Sequence, residues 1–386
     1  MACAYTGSML PDPPASPFQP GTGSSPPVLA GREDEQAALK ALLDGLRSGE
    51  LKQTIHLVQA SRGMGKTVLL RDLEKRAPSE VAVIYAPAPT MPTLGDIARR
   101  IEPSHPWGHR IAGWFSSLNV VGVTIKRPDA ASEGEFQMLE RALARRRKTS
   151  FLLIVDEAHT LSPPLAHILL NVFQSLAGRQ PCGLLLAGTP ALMPLLLSDA
   201  VDASFVERAP IIVPGLLSAA QSRQALDVPD WRAWKKDEAT LNAVVAESMG
   251  YPYFLQLWGK ALWEKGYPRT AIDTDVLQDA RTQVDEVRRE FYARRYDEFE
   301  ADAIEVGIDR DAMLSAVLAI AEHVASPDAF ISTGEINWHL EDAGIDSEHA
   351  VDAKKIIIDR GFLTRAADDW RPSIPSLAAY ICAHPR

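Results

Sequence analysis

Cysteine is scarce in this chain: Cys3, Cys182 and Cys382 stand far apart among 386 residues, with no Cys-x-x-Cys pair. That excludes a disulfide framework and a cysteine-built zinc site. Long apolar runs are missing too. Leu184 to Leu197 is broken by Gly188, Pro190 and Pro194, so no membrane span is expected. The N-terminus has no basic stretch leading into an apolar core, so no export signal is expected and the cytoplasm is the expected compartment. Basic charge is outweighed, with 40 Lys and Arg against 50 Asp and Glu for a net −10, so bulk electrostatics do not favour nucleic acid or anionic membranes. Any such contact needs a local basic surface. A catalytic triad, a metal cage, a dinucleotide fingerprint and an internal repeat are likewise absent. What is present is a globular composition, 46% hydrophobic and 23% charged, long enough for two or three domains with cores.

The strongest signal is the stretch Ala60-Ser61-Arg62-Gly63-Met64-Gly65-Lys66-Thr67, directly after a short apolar run from Thr54 to Gln59 with the length of a buried strand. This is a phosphate-binding loop. Gly63 and Gly65 let backbone N–H groups turn inward, Lys66 can reach β- and γ-phosphates, and the Thr67 hydroxyl can ligate Mg²⁺. A helix starting near Lys66, with Val68 in its first turn, adds the positive end of its dipole. The pattern departs from G-x-x-x-x-G-K-[ST] at Ala60, which is tolerable there if its φ stays negative.

A second signal is Phe151-Leu152-Leu153-Ile154-Val155-Asp156-Glu157, an apolar run ending in two acids. Such a run fits a parallel strand covered on both faces, with its acids at the carboxyl end where open α/β sheets place ligands. Asp156 is expected to hold Mg²⁺ through water. Glu157 is expected to orient and deprotonate the attacking water.

Four regions are expected along the chain. Residues 1–27, rich in Pro, Gly and Ser with Asp12 as their only charge, read as a disordered tail. Residues 28–215 read as a P-loop core. A helix from Asp34 to Leu46 opens it, and strands at Thr54–Gln59, Val81–Ala86, Phe151–Asp156, Gly183–Ala187 and Ile211–Val213 alternate with helices into a parallel sheet. Within it, Ser104 to Arg127 carries Trp107, Trp114 and Phe115 without an acid, and reads as an inserted hairpin or loop. It is either an edge decoration or a contact for a partner or nucleic acid. Residues 216–300 read as a helical lid without strands, and 301–386 as a winged helix-turn-helix. In the last, Ser332 or Thr333 caps a first helix, a second runs from Ser347 to Arg360, and Gly361–Thr364 with Asp369–Pro372 form the wing.

Taken in order, these residues resemble the AAA+ and STAND branch of P-loop ATPases, nearest to bacterial AAA-family ATP-binding proteins related to origin-recognition and transposition-regulator ATPases. The resemblance covers roughly residues 28 to 386. It implies an ATPase with ATP and Mg²⁺ as ligands, with nucleotide contacts from Ala60 through Val68. It implies that Gly31-Arg32-Glu33 is an entrance box packing near the adenine, with Arg32 as its side chain at the site. Leu184 to Pro190 resembles the strand whose polar end senses the γ-phosphate, which makes Thr189 the sensor candidate beside the reading of a plain turn. Ser204 to Arg208 resembles the segment that sends an arginine to a neighbour's nucleotide, so Arg208 is either that finger or a solvated helix end. Gly250-Tyr251-Pro252 looks like the Gly-x-Pro lid motif, giving Gly250 and Pro252 nucleotide contacts. The lid arginine of many such machines is not visible, which favours a slow switch over a fast motor.

Expected partners are ATP or ADP, further copies of the chain, and either double-stranded DNA or a protein at the winged helix, with no membrane. His349, Lys354, Lys355 and Arg360, with Arg365 and Arg371 on the wing, could face phosphates. Glu348, Asp352 and Asp359 on the same helix oppose that. Arg145-Arg146-Arg147-Lys148 reads as a solvated helix terminus or a DNA patch, and Arg281 to Arg295 as a charged helix face.

Overall fold

The structure, a computed structural model, describes residues 14–21, 23, 25–101, 130–146, 149–197, 204–326, 329–366 and 368–386. The aromatic insert with Trp107, Trp114 and Phe115, the run from Val120 to Ile125, and Arg147 and Lys148 lie outside the described residues. Two compact units emerge. One holds Arg32–Arg62 and Lys66–Gly215; the other holds Gly63–Gly65 and Leu216–Arg386, with the described residues before Arg32.

The first unit is a five-stranded parallel sheet in the order β2-β3-β4-β1-β5. Its strands are β1 (Ile55–Gln59), β2 (Val81–Pro87), β3 (Ser150–Asp156), β4 (Cys182–Gly188) and β5 (Ile211–Ile212). Each matches a run expected from sequence to within one or two residues, because buried apolar runs of strand length leave little choice. Alternation sorts them into two cores. Val81, Tyr85, Leu152 and Ile154 face the helices α1 (Glu33–Ser48) and α2 (Lys66–Arg76), against Leu39, Leu42, Leu46, Leu69, Leu70 and Leu73. Ile84, Phe151, Leu153, Val155, Leu184 and Leu186 face the other way. There they join Ile97 of α3 (Leu94–Ile101), Leu143 of α4 (Ala130–Arg145), and Leu169 and Phe173 of α5 (Pro163–Leu176). Helices α6 (Leu192–Leu196) and α7 (Ser204–Glu207) lie between β4 and β5 in the chain.

His56 of β1 carries a cost of this close packing. Its Nδ1 is buried without a hydrogen-bond partner, and burial pushes its pKa down from 6.5 to about 4. The unfolded chain takes up this proton near pH 6.5 while the folded chain refuses it until about pH 4, so stability is full above 6.5 and falls as pH drops through that window. After a discount for partial solvent access, the loss between pH 7 and 4.5 is about 2 kcal/mol. Urea unfolding at both pH values should show that decline in the parent and not in His56→Leu. Equal declines would contradict it.

The second unit is helical, with α8 (Ala219–Leu226), α9 (Glu238–Ser248), α10 (Pro252–Gly266) and the 32-residue α11 (Thr274–Glu305). Three expectations need correction here. A short parallel pair, β6 (Lys235–Lys236) with β7 (Ala271–Ile272), interrupts a region expected to hold no strand. The segment before Arg32 is not wholly a loose tail: Phe18 is 1% exposed, its ring packs tilted against Trp231 with centroids 4.8 Å apart, and the Trp263 indole donates to the Pro14 carbonyl. Gly259 makes room for that ring, since a Cβ there would stand 2.4 Å from it. Finally, Arg288 and Arg295 are not part of a plain solvated face: they lie over the rings of Phe254, Tyr292 and Phe291, and Arg295 is buried.

The same unit continues with helices α12 (Arg310–His323), α13 (Thr333–Asp342) and α14 (Ala350–Asp359), followed by the antiparallel hairpin β8 (Leu363–Ala366) with β9 (Asp369–Pro372), the element order expected of a winged helix-turn-helix. Ile331 bridges to Trp370 and α15 (Pro375–Ala383) closes the domain. Ser332 is the cap of α13, in a reciprocal capping box with Glu335.

Candidate functional site

The sheet order sets the site. Because β4 runs between β1 and β3 and all three are parallel, the exits at Gln59, Gly188 and Asp156 lie side by side at one end of the sheet. The loop after β1 is pinned there, with the Ala60 N–H donating to the Gly188 carbonyl at 3.2 Å. Gly63 and Gly65 take φ of +82° and +89°, in the region that favours glycine, whereas Ala60 is not among the positive-φ residues. The two glycines differ in their surroundings. A Cβ at Gly63 would stand 2.4 Å from the Tyr251 hydroxyl, while a Cβ at Gly65 would meet none of the described residues within 4 Å.

Lys66 opens α2 and is buried, its ammonium turned back to donate to the carbonyls of Ala60 at 2.7 Å and Ser61 at 3.3 Å. The Thr67 hydroxyl donates to Asp156 Oδ2 at 2.8 Å across the cleft between α2 and β3. Asp156, 3% exposed, also accepts from the Tyr85 hydroxyl at Oδ2 (2.5 Å) and from the Glu157 N–H at Oδ1 (2.9 Å). Burial, then the hydrogen bond and charge of Asp156, push the Tyr85 phenol far above its usual range, so it remains a donor.

Glu157 sits at φ +54°, a left-handed conformation costing a non-glycine residue about 1–2 kcal/mol. Its carboxylate is half-exposed, 3.5 Å from His159 Nε2. His159 Nδ1 accepts from the Thr189 N–H at 3.4 Å, which leaves the ring proton on the nitrogen facing Glu157. Burial first, then the charges of Lys66 and Arg62, push the His159 pKa down to about 4 against the pull of Asp156, so the ring is neutral at pH 7. Sequence reading passed over both Tyr85 and His159. The Asp-Glu-Ala-His spacing was the only local signal for the histidine, and Tyr85 becomes visible only once β2 is known to flank β3.

The remaining expected residues are placed as follows. Met64 is buried, Arg62 exposed and Val68 half-buried. Thr189 is buried just past β4, and its Oγ1, like the Ser61 Oγ, has no hydrogen-bond partner. Arg32 is buried at the start of α1, donating to the Gly215 carbonyl at 2.9 Å and 3.6 Å from Glu35, with burial lowering its pKa. Arg208 follows α7 and is exposed. In the second unit, Gly250 has φ +69° and exchanges backbone contact with Leu217, where a Cβ would stand 2.1 Å from the Leu217 oxygen; Pro252 begins α10. Glycine at 250 is thus required by the backbone itself.

These residues fit a nucleotide with a divalent cation. A buried ammonium and the Ser61 and Thr189 hydroxyls, which have no hydrogen-bond partner among the described residues, form a place where phosphate oxygens would satisfy groups that otherwise cost about 1–3 kcal/mol each. Among the described residues no group of three or more His, Cys, Asp or Glu could hold a metal. A cation held by Thr67, and by Asp156 through water, would therefore take its other ligands from phosphate and water, as Mg²⁺ does.

A family profile described as AAA domain matches residues 50–196. No curated protein matches the chain in sequence. Among solved structures, the chain is similar to a Walker-type ATPase of Pyrococcus abyssi, with a TM-score of 0.60 at 15% identity, over 91% of this chain and 95% of that one. It is also similar to the ORC2 protein of Aeropyrum pernix in its ADPNP–ADP complexes, with a TM-score of 0.56 at 15% identity, over 95% and 97% of the two chains. At that identity the likeness is one of fold. No helix among the described residues is long and apolar enough to cross a membrane. Residues 50–196 match an AAA domain, and the sheet that carries them has the P-loop AAA+ fold.

Proposed function

We propose that the chain binds Mg-ATP, hydrolyses it slowly to ADP and phosphate, and uses the nucleotide state to change its shape or its assembly with further copies. The observation that carries this reading is the Thr67–Asp156 hydrogen bond beside the buried Lys66 and the two left-handed glycines. Thr67, and Asp156 through water, would hold Mg²⁺, which would supply charge neutralisation at the phosphates. Lys66 and the N–H groups from Ser61 to Val68 hold the phosphates. Glu157 takes the proton of the water whose oxygen attacks the γ-phosphorus as the bond to the β–γ bridging oxygen breaks. Thr189 is read as the γ-phosphate sensor, and Arg208, exposed after α7, as the group offered to a neighbouring copy. Arg32, Gly250 and Pro252 are read as shaping the entrance and lid.

The winged helix is read as the output, with two partner classes. DNA binding rests on the fold of the domain and on exposed cations such as Lys355 and Arg365. A protein partner, with little turnover and a scaffold role, is favoured by where the other cations go. Arg360 is bound to Asp302 and lies 3.7 Å from Glu298, and His349 is 2.9 Å from Asp346. Cations already paired with acids release few counterions on meeting phosphate. Mass measurement of the purified chain with no nucleotide, with ADP, and with a non-hydrolysable ATP analogue, each with and without duplex DNA, separates these. The switch reading expects a mass or shape change with the analogue. Co-migrating DNA selects the first output and its absence the second, while identical profiles in all conditions would overturn the switch.

A further inference from the structure

Among the described residues three donors hold Asp156, and of these only Tyr85 comes from outside every nucleotide-binding motif. It reaches the acid because of strand register. Tyr85 pairs with Ile154 and Pro87 with Asp156, so the phenol starts two residues behind the carboxylate on the same face of neighbouring strands. From there its hydroxyl reaches Asp156 Oδ2. The ring is 6% exposed and is covered by the Arg71 guanidinium of α2, 3.6 Å from the ring centroid, with Arg71 steadied by Glu74 at 2.8 Å.

A carboxylate offers about four lone-pair directions. Thr67 and Tyr85 occupy Oδ2 and the Glu157 N–H takes one direction on Oδ1, which leaves a single free direction on Oδ1. We propose that Tyr85 is a positioning residue for the divalent cation: it locks the Asp156 carboxylate so that its one remaining acceptor points at metal-bound water. This rests on the Mg-nucleotide reading and adds to it a determinant of metal affinity supplied by β2. Thr67 must lend its oxygen to the cation, so Tyr85 is the donor on Oδ2 with no second duty. Outer-shell partners that fix the groups around a metal set its affinity by about 10–100-fold.

Tyr85→Phe keeps the ring, its burial and its surface under Arg71 while deleting the hydroxyl. The probe is Mn²⁺, counted by electron paramagnetic resonance as it binds the complex of the chain with a non-hydrolysable ATP analogue. The affinity of the analogue alone is measured in EDTA. Tyr85→Phe should bind Mn²⁺ about 10-fold or more weakly, with its metal-free analogue affinity within twofold of the parent. Unchanged Mn²⁺ affinity would overturn the proposal, as would an equal loss in EDTA, which would place the hydroxyl's effect on the loop as a whole. A parent chain that binds the analogue without taking up Mn²⁺ would remove the underlying reading, and that result is visible before any variant is made.

Discussion

Glu157→Gln should hold nucleotide as well as the parent, within about twofold, while turnover falls by about 10²–10⁴, the range a positioned general base supplies. The expectation follows from where the side chain sits. Its backbone accepts a left-handed conformation that most residues avoid, and its half-exposed carboxylate stands near the neutral His159. An amide keeps the size and a hydrogen-bonding oxygen but cannot take the water's proton. Single-turnover hydrolysis, with analogue affinity measured alongside, checks both halves. Turnover within a fewfold of the parent would assign the proton to another group. Loss of binding would instead make Glu157 part of the phosphate cradle.

Lys66→Ala should weaken the affinity for the ATP analogue by about 10²-fold or more, since it removes a charge-assisted contact to two phosphates in a buried site. The fold should survive. The ammonium is spent on two loop carbonyls, and burying a charge among neutral dipoles costs solvation that alanine does not. The thermal midpoint of the variant is therefore expected within a few degrees of the parent, and stability cannot be the reason for lost binding. A variant that bound the analogue as tightly as the parent would show that the ligand sits elsewhere.

Much of this site was legible in the sequence because its signals are local. An apolar run of strand length, two glycines at fixed spacing before Lys66, and two acids ending a second apolar run each follow from backbone and burial rules within a few residues. Glycine at 63 and 65 suits the left-handed φ found there, and Ala60 stays outside that region, the condition on which it is tolerable. Features that depend on long-range packing were not legible. Tyr85 acts on Asp156 only because β2 docks on the outer side of β3, and nothing near Tyr85 announces that neighbour. Phe18 lies in a Pro/Gly/Ser-rich stretch whose composition argues for disorder, yet the hole over Gly259 beside Trp231 buries it. Arg360 looked available to phosphate until α11 brought Asp302 and Glu298 beside it.

The most direct test is calorimetric titration of the unaltered chain with the ATP analogue, in Mg²⁺ and again in EDTA. One nucleotide per chain, bound more tightly with the metal present, is the expected outcome. A flat titration in Mg²⁺, from protein shown to be folded, would mean that the cleft between Lys66 and Asp156 takes no nucleotide.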